Sequence, residues 1–153
     1  MWDFTNVKWA TRDTMRYDTP GDWHGDFIEA WSGMPVLSQQ AVLLHEFCES
    51  LVLRAAGITE EMIDIMDNFK NAAFNYTQGK ATQREMARFA VLFFKLSPEI
   101  RNLYDEAHVL ALQVERAFLE AAGGNWKEHC RMIEDSRGKI PFDGQVVDVE
   151  VER

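Results

Sequence analysis

The sequence predicts an α+β fold, mostly α, with four or five helices and a small N-terminal sheet. Three observations predict it. Between residues 38 and 138, helix formers run in long stretches that open on capping residues and close on glycine or a turn. Before them Trp2, Phe4, Val7, Trp9, Trp23, Phe27, Ile28 and Trp31 are scattered among Thr, Asp, Asn and Gly with no helical period. After them the period switches to 2. The chain of 153 residues is read as one domain, with residues 1–37 forming the sheet, 38–138 the helical core and 139–153 a tail with a strand.

Each element has its own signal. Pro20-Gly21-Asp22 is turn chemistry, since proline presets φ and glycine takes φ > 0. Residues 27–31 are rich in β-formers, and Gly33 and Pro35 close them off. Ser38 reads as an N-cap for a first helix over residues 41–56, which Gly57 stops. Thr59 caps a second helix running to about residue 74, with Glu60 and Glu61 complementing its dipole. Residues 75–80 read as a loop and 82–96 as a third helix. Ser97-Pro98 opens a fourth, with proline at N1, running to about Ala122. Gly123-Gly124-Asn125 breaks it, and residues 126–136 form a short fifth. In residues 147–152 valine alternates with Asp and Glu, the pattern of a half-buried strand, after an Asp143-Gly144 turn. That strand joins the N-terminal sheet or waits for a partner.

Composition excludes several classes. Twenty-five Asp plus Glu against 16 Lys plus Arg leave a formal charge of −9. Such a surface lacks the clustered cations that displace counterions from phosphates, so no nucleic-acid partner is expected. It favours a cation, or a basic protein partner. The longest apolar run, residues 89–94, is too short to span a bilayer. The first residues show no basic segment before an apolar stretch, so no signal peptide is expected. Cys48 and Cys130 are too few for a disulfide framework and fit a reducing, cytoplasmic setting.

The constellation that carries chemistry is His45-Glu46-Phe47-Cys48-Glu49 on the first long helix. At 100° per residue His45 and Glu49 lie about 40° apart, one turn along the same face. An imidazole and a carboxylate so placed suit zinc or another divalent transition metal. Glu46 points about 100° away, where it can hold a water rather than the ion, as the glutamate of HExxH enzymes does. A third ligand comes from the fourth helix, where Tyr104, His108 and Glu115 share a face beside an apolar stripe of Ile100, Leu103, Ala107, Leu110, Val114 and Phe118. His108 is the candidate ligand and Tyr104 a candidate donor to a developing oxyanion. Glu115, roughly 10 Å from His108 along the axis, reads as a partner of a ligand or of Arg116 rather than a ligand of the same ion. Asp64, Asp67 or Glu115 would close a structural site; a catalytic site keeps a position open.

The same helix also fits an ordinary amphipathic surface. Glu46, Glu49, Ser50 and Arg54 occupy one arc of about 140°, with Leu44, Phe47, Cys48, Leu51 and Ala55 opposite. Cys48 on that apolar arc reads as inert packing. His24 and His129 have no supporting context.

Three resemblances bear on these residues. Arg16 to Trp23 with Gly21-Asp22-Trp23, the Leu44-His45-Glu46-Phe47-Cys48-Glu49-Ser50 helix, Gly57-Ile58, and Tyr104-x-x-x-His108 with Glu115-Arg116 follow one another in an order that resembles a group of small uncharacterised proteins of bacteriophages and prophages. It covers most of residues 16–128, except an extra stretch near 76–97, and implies a host-cytoplasmic protein with no activity to carry over. The His-Glu-x-x-Glu helix is similar to the active-site helix of zincin metallopeptidases, departing at Glu49, where they have histidine; the resemblance implies zinc on His45, Glu49 and His108 with Glu46 as base. Glu46-x-x-Glu49 followed by Glu61-x-x-Asp64 resembles the pattern of MazG-like nucleoside triphosphate pyrophosphohydrolases, which implies four carboxylates holding Mg²⁺. A non-enzymatic alternative is a phage protein that blocks a host factor through its acidic surface or C-terminal strand.

Overall fold

The computed structural model describes residues 3–143. A 3-10 turn, Phe4–Asn6, precedes three strands: β1 (Lys8–Arg12), β2 (Gly21–His24) and β3 (Phe27–Trp31). Their spatial order is β1-β3-β2, with β1 parallel and β2 antiparallel to the central β3. The expected small sheet is therefore present, but its tight turn lies elsewhere. Gly21 and Asp22 belong to β2, and the hairpin reverses at Gly25-Asp26, between the paired His24 and Phe27. Gly25 has φ +54, as the first central position of a type II′ turn requires.

Five helices follow: α1 (Val36–Ala55), α2 (Glu60–Thr77), α3 (Gln83–Lys95), α4 (Pro98–Ala121) and α5 (Trp126–Ser136). Thr59, Thr82, Ser97 and Asn125 cap α2 to α5, each side chain accepting from the backbone N–H three residues on. Thr82 and Glu85 complete a reciprocal capping box. Two boundaries differ from expectation. α1 starts at Val36 behind Pro35 with no side-chain cap, because the Ser38 hydroxyl lies inside the helix and is bonded elsewhere. α2 continues through residues 75–77, where a loop is expected, and stops at Gly79 with φ +69. The tail strand expected over residues 147–152 lies outside the described residues; the chain before it returns to the N-terminal segment through a bridge between Met15 and Phe142.

The main core joins Trp23 and Ile28 of the sheet, Leu53 of α1, Ile63 and Met66 of α2, and Tyr104 and Ala107 of α4. α1 lies against the sheet on one side and α4 on another. Buried Ala41, Ala107 and Ala111 belong to these two helices, and side chains this small permit close approach of their axes.

Both helices are rolled differently from the amphipathic expectation. α1 buries Ser38, His45, Glu49 and Ser50 along with Ala41, Val42 and Leu53, while Leu51 is 38% exposed. α4 buries Tyr104, Ala107, Ala111, Glu115 and Leu119, while Leu110 and Val114 are 43% and 36% exposed. The polar arcs therefore face inward and toward each other. Burying charge without a partner costs several kcal/mol, so this roll requires that the buried groups satisfy one another. Among the described residues no helix is long and apolar enough to cross a membrane.

Candidate metal centre

His45, Glu49 and His108, the three ligands expected from the sequence, meet where α1 crosses α4. His45 Nε2 lies 3.5 Å from Glu49 Oε2, and His108 Nδ1 lies 3.1 Å from the same oxygen. The imidazole rings stand nearly edge to face with centroids 4.8 Å apart. One ligand atom from each residue falls within 4.8 Å of the others, so the three form a group able to hold a metal ion. His45 and Glu49 are buried, whereas the His108 side chain is half exposed.

What surrounds the triad explains why it is held so. Glu115 places Oε2 2.6 Å from His45 Nδ1 and Oε1 2.6 Å from His129 Nε2. An ionised carboxylate only accepts, so both imidazoles donate to it. His129 Nδ1 then accepts from the Ser38 hydroxyl at 3.0 Å. With Nδ1 donating to Glu115, Nε2 is the His45 nitrogen that faces Glu49. On the other side the Trp23 indole N–H donates to Glu49 Oε1 at 3.4 Å, leaving Oε2 for the histidines.

The charges respond to this packing. Burial opposes ionisation of Glu49, but hydrogen bonds from His108 and His45 outweigh it and hold its carboxyl down to about 2. Burial likewise opposes the ionisation of Glu115, but bonds from His129 and His45 outweigh it and hold its carboxyl below the usual range. His45 rises well above the ordinary imidazole value despite its burial, because Glu115 and Glu49 flank it. The flanking carboxylates thus favour a proton on His45, with which a cation on the triad would compete.

A cavity of about 490 Å³ opens beside the triad, lined among others by Glu46, Asp67, Tyr104, Leu112 and Trp126. Glu46 faces it with no hydrogen-bond partner among the described residues. Burial raises its carboxyl well above the normal range; Glu49, Asp22 and Asp67 add to that, and His45 works against it. The side chain is held against β2. A Cβ on Gly21 would collide with Glu46 Oε1 and approach Val42 Cγ1 to 2.6 Å. Gly21 is thus a residue of close approach rather than of a turn. Gly21→Ala is expected to destabilise the fold by about 1–3 kcal/mol, as overpacking does, and to displace Glu46. Urea denaturation checks the first; unchanged stability would show that β2 and α1 separate freely.

The remaining candidates are distributed as follows. The Tyr104 hydroxyl, expected to face an oxyanion, donates to Asp67 Oδ1, and Lys70 Nζ lies 4.5 Å over its ring. Asp67 is pushed up to about 8, chiefly by burial, against the effect of the Tyr104 bond. Asp64 is met by Arg16 at 3.4 Å and does not line the cavity. Asp64, Asp67 and Glu115 therefore all stand outside the converging group. Glu61 is exposed at the start of α2, so the four carboxylates of the Mg²⁺ pattern do not gather: Glu46 and Glu49 lie inside, Glu61 outside, and Asp64 on an arginine.

A second group, Asp22, His24 and Glu29, also brings ligand atoms within 4.8 Å of one another. Its oxygens are already used. Arg16 holds both oxygens of Asp22, at 2.5 and 3.0 Å, while Arg12 and His24 take those of Glu29 at 3.0 and 3.2 Å. Asp22 and Glu29 are cross-strand neighbours, so this is an ion-pair network that ties the sheet together.

Sequence reasoning missed His129, Ser38 and Trp23. His129 has a signal, since on α5 it shares a stripe with Ile133 and Ser136 at helical spacing, the inner face of that helix. Ser38 and Trp23 become partners only through tertiary packing. The chain matches no protein-family model, no curated protein and no solved structure.

Proposed function

We propose that the protein is a metal-dependent hydrolase holding a divalent cation, zinc, on His45, Glu49 and His108. The observation that carries the reading is the Glu115 carboxylate 2.6 Å from His45 Nδ1. A histidine that ligates through one nitrogen commonly donates the other N–H to a carboxylate, which fixes its tautomer and orientation. Two imidazoles and a carboxylate are a donor set suited to zinc. Three protein ligands beside a cavity match a catalytic site, which keeps a position open, better than a closed structural one. The similarity of the His-Glu-x-x-Glu helix to that of zincin metallopeptidases supports the same chemistry, and the likeness to phage-encoded proteins supports a host-cytoplasmic setting.

A bound divalent ion polarises a carbonyl or phosphoryl oxygen and brings the deprotonation of water toward neutral pH. The residues of this chain supply the rest. Glu46 faces the cavity without a hydrogen-bond partner among the described residues, with an affinity for protons raised by burial, and serves as the base that takes a proton from water and passes it to the leaving group. Asp67 keeps a proton near neutral pH, so the Tyr104–Asp67 pair offers a donor toward developing negative charge. His108, half exposed at the rim, leaves one side of the triad open to solvent.

Glu46→Gln separates holding the ion from using it. The variant is expected to keep zinc affinity within about threefold and to lose roughly 10²–10⁴-fold in hydrolysis, read on fluorogenic peptides and activated esters. A variant as active as the zinc-loaded wild type would remove Glu46 from the mechanism. No turnover by the wild type on either class would contradict the hydrolase reading.

A further inference from the structure

We propose that the ligand of this cavity carries an oxyanion, a carboxylate or a phosphate, held by Arg137 and Tyr17 at the end of the cavity away from His45. The inference rests on the hydrolase reading for what happens at the other end. Both residues line the cavity. Arg137 caps α5 eight residues after His129, about 12 Å along the helix, so it stands well away from the Glu115 cluster.

Two donors there lack partners among the described residues, as does one acceptor, Asp18 Oδ1. The Tyr17 hydroxyl is buried with no hydrogen-bond partner among the described residues. Arg137 meets no carboxylate among the described residues, in a chain where acids outnumber bases 25 to 16. Its guanidinium instead stacks 4.2 Å over the Phe74 ring, which restrains the plane and leaves the N–H fork free. The two are brought together by a backbone clip, Gly138 N–H donating to Asp18 Oδ2 at 2.6 Å. Burial, joined by Asp67, Asp64 and Asp22 and opposed by the Arg16 charge, keeps Tyr17 a phenol well beyond neutral pH, so it can donate.

The Tyr17 hydroxyl and the Arg137 guanidinium are donors, and their natural complement is an oxyanion, which a guanidinium takes in a bidentate manner. A substrate is thereby oriented, with its anion at Arg137 and its reacting bond at the triad. The class is that of small acyl or phosphoryl compounds with an anionic end, such as a peptide with a free C-terminal carboxylate.

The test uses zinc-loaded full-length protein and three chelators: neutral butyrohydroxamate, succinic monohydroxamate and phosphonoacetohydroxamate. An anionic chelator is expected to bind about tenfold more tightly than the neutral one, the value of a modest charge-assisted bond. Which of the two gains tells carboxylate from phosphate. Arg137→Gln and Tyr17→Phe should each reduce the preference, with zinc affinity unchanged as the control for folding. Equal binding of all three by the wild type, or a preference that survives Arg137→Gln, would overturn the proposal. Should the protein take no zinc, the metal reading falls separately. Inorganic phosphate titrated onto the metal-free protein then decides: saturable shifts of the Arg137 side-chain N–H and the neighbouring Gly138 backbone N–H resonances, the Gly138 shift being lost in Arg137→Gln, support the anion site, and their absence sinks it.

Discussion

Replacing Glu115 by alanine is expected to destabilise the metal-free protein by about 3–5 kcal/mol and to weaken zinc binding roughly 10–100-fold. The first effect follows from burial. Glu115 is 5% exposed and bridges two histidines, so its loss leaves their N–H groups in a low-dielectric interior with nothing to accept them. The second follows from orientation, because His45 without a partner on Nδ1 is free to flip its ring and to protonate the wrong nitrogen. Urea denaturation reads the first and competition with a fluorescent chelator the second. His129→Phe, which removes one bridge and keeps bulk in the α5 face, should reproduce part of the affinity loss. A Glu115→Ala protein of wild-type stability and affinity would mean that the buried network is incidental.

Zinc affinity should rise steeply with pH. In the metal-free protein His45 is held well above its ordinary value of 6.5, bonded to Glu115 and Glu49, so near neutrality it is charged. A cation on Nε2 must displace that proton. Between pH 6.5 and the raised folded value, affinity is expected to gain about tenfold per pH unit, with about one proton released per ion. Calorimetry in two buffers of different ionisation enthalpy measures the release. Stability moves the other way. Because the folded pKa is raised, the His45 contribution is fully present below 6.5 and is lost as pH climbs through the folded value. Glu49 has the opposite sign: its contribution is present above the usual 4.5 and fades as pH falls toward about 2. Metal-free protein should therefore be most stable in mildly acidic solution, and zinc should move the optimum upward. An affinity that is flat with pH would contradict a protonated His45.

The order of elements was legible in the residues because most helices here are announced by local chemistry. Thr59, Thr82, Ser97-Pro98 and Asn125 each open a helix, and Gly57 and Gly123 follow the ends of two. Ser38 misled because its hydroxyl bonds His129, a partner 91 residues away that no local rule reveals. The triad was legible because i, i+4 spacing is a property of the helix alone, and His108 followed from the face that it shares with Tyr104 and Glu115. The roll of α1 and α4 was not. Apolar arcs ordinarily turn inward, and here the polar arcs do so, since Glu115 satisfies His45 and His129 together while Trp23 and His108 satisfy Glu49. Such mutual satisfaction depends on docking between helices, which periodicity does not encode. Tyr104 shows the same limit: its face was foreseeable, but not its bond to Asp67.

The most direct measurement of the central claim is zinc content by native mass spectrometry on untagged protein, beside His45→Ala and His108→Ala. The account predicts about one zinc per chain in the wild type. It also predicts the loss of that zinc in both variants, with His108→Ala still folded because its side chain is half exposed. A folded wild type that takes up no zinc when the ion is added back, or one whose zinc survives both substitutions, would contradict it.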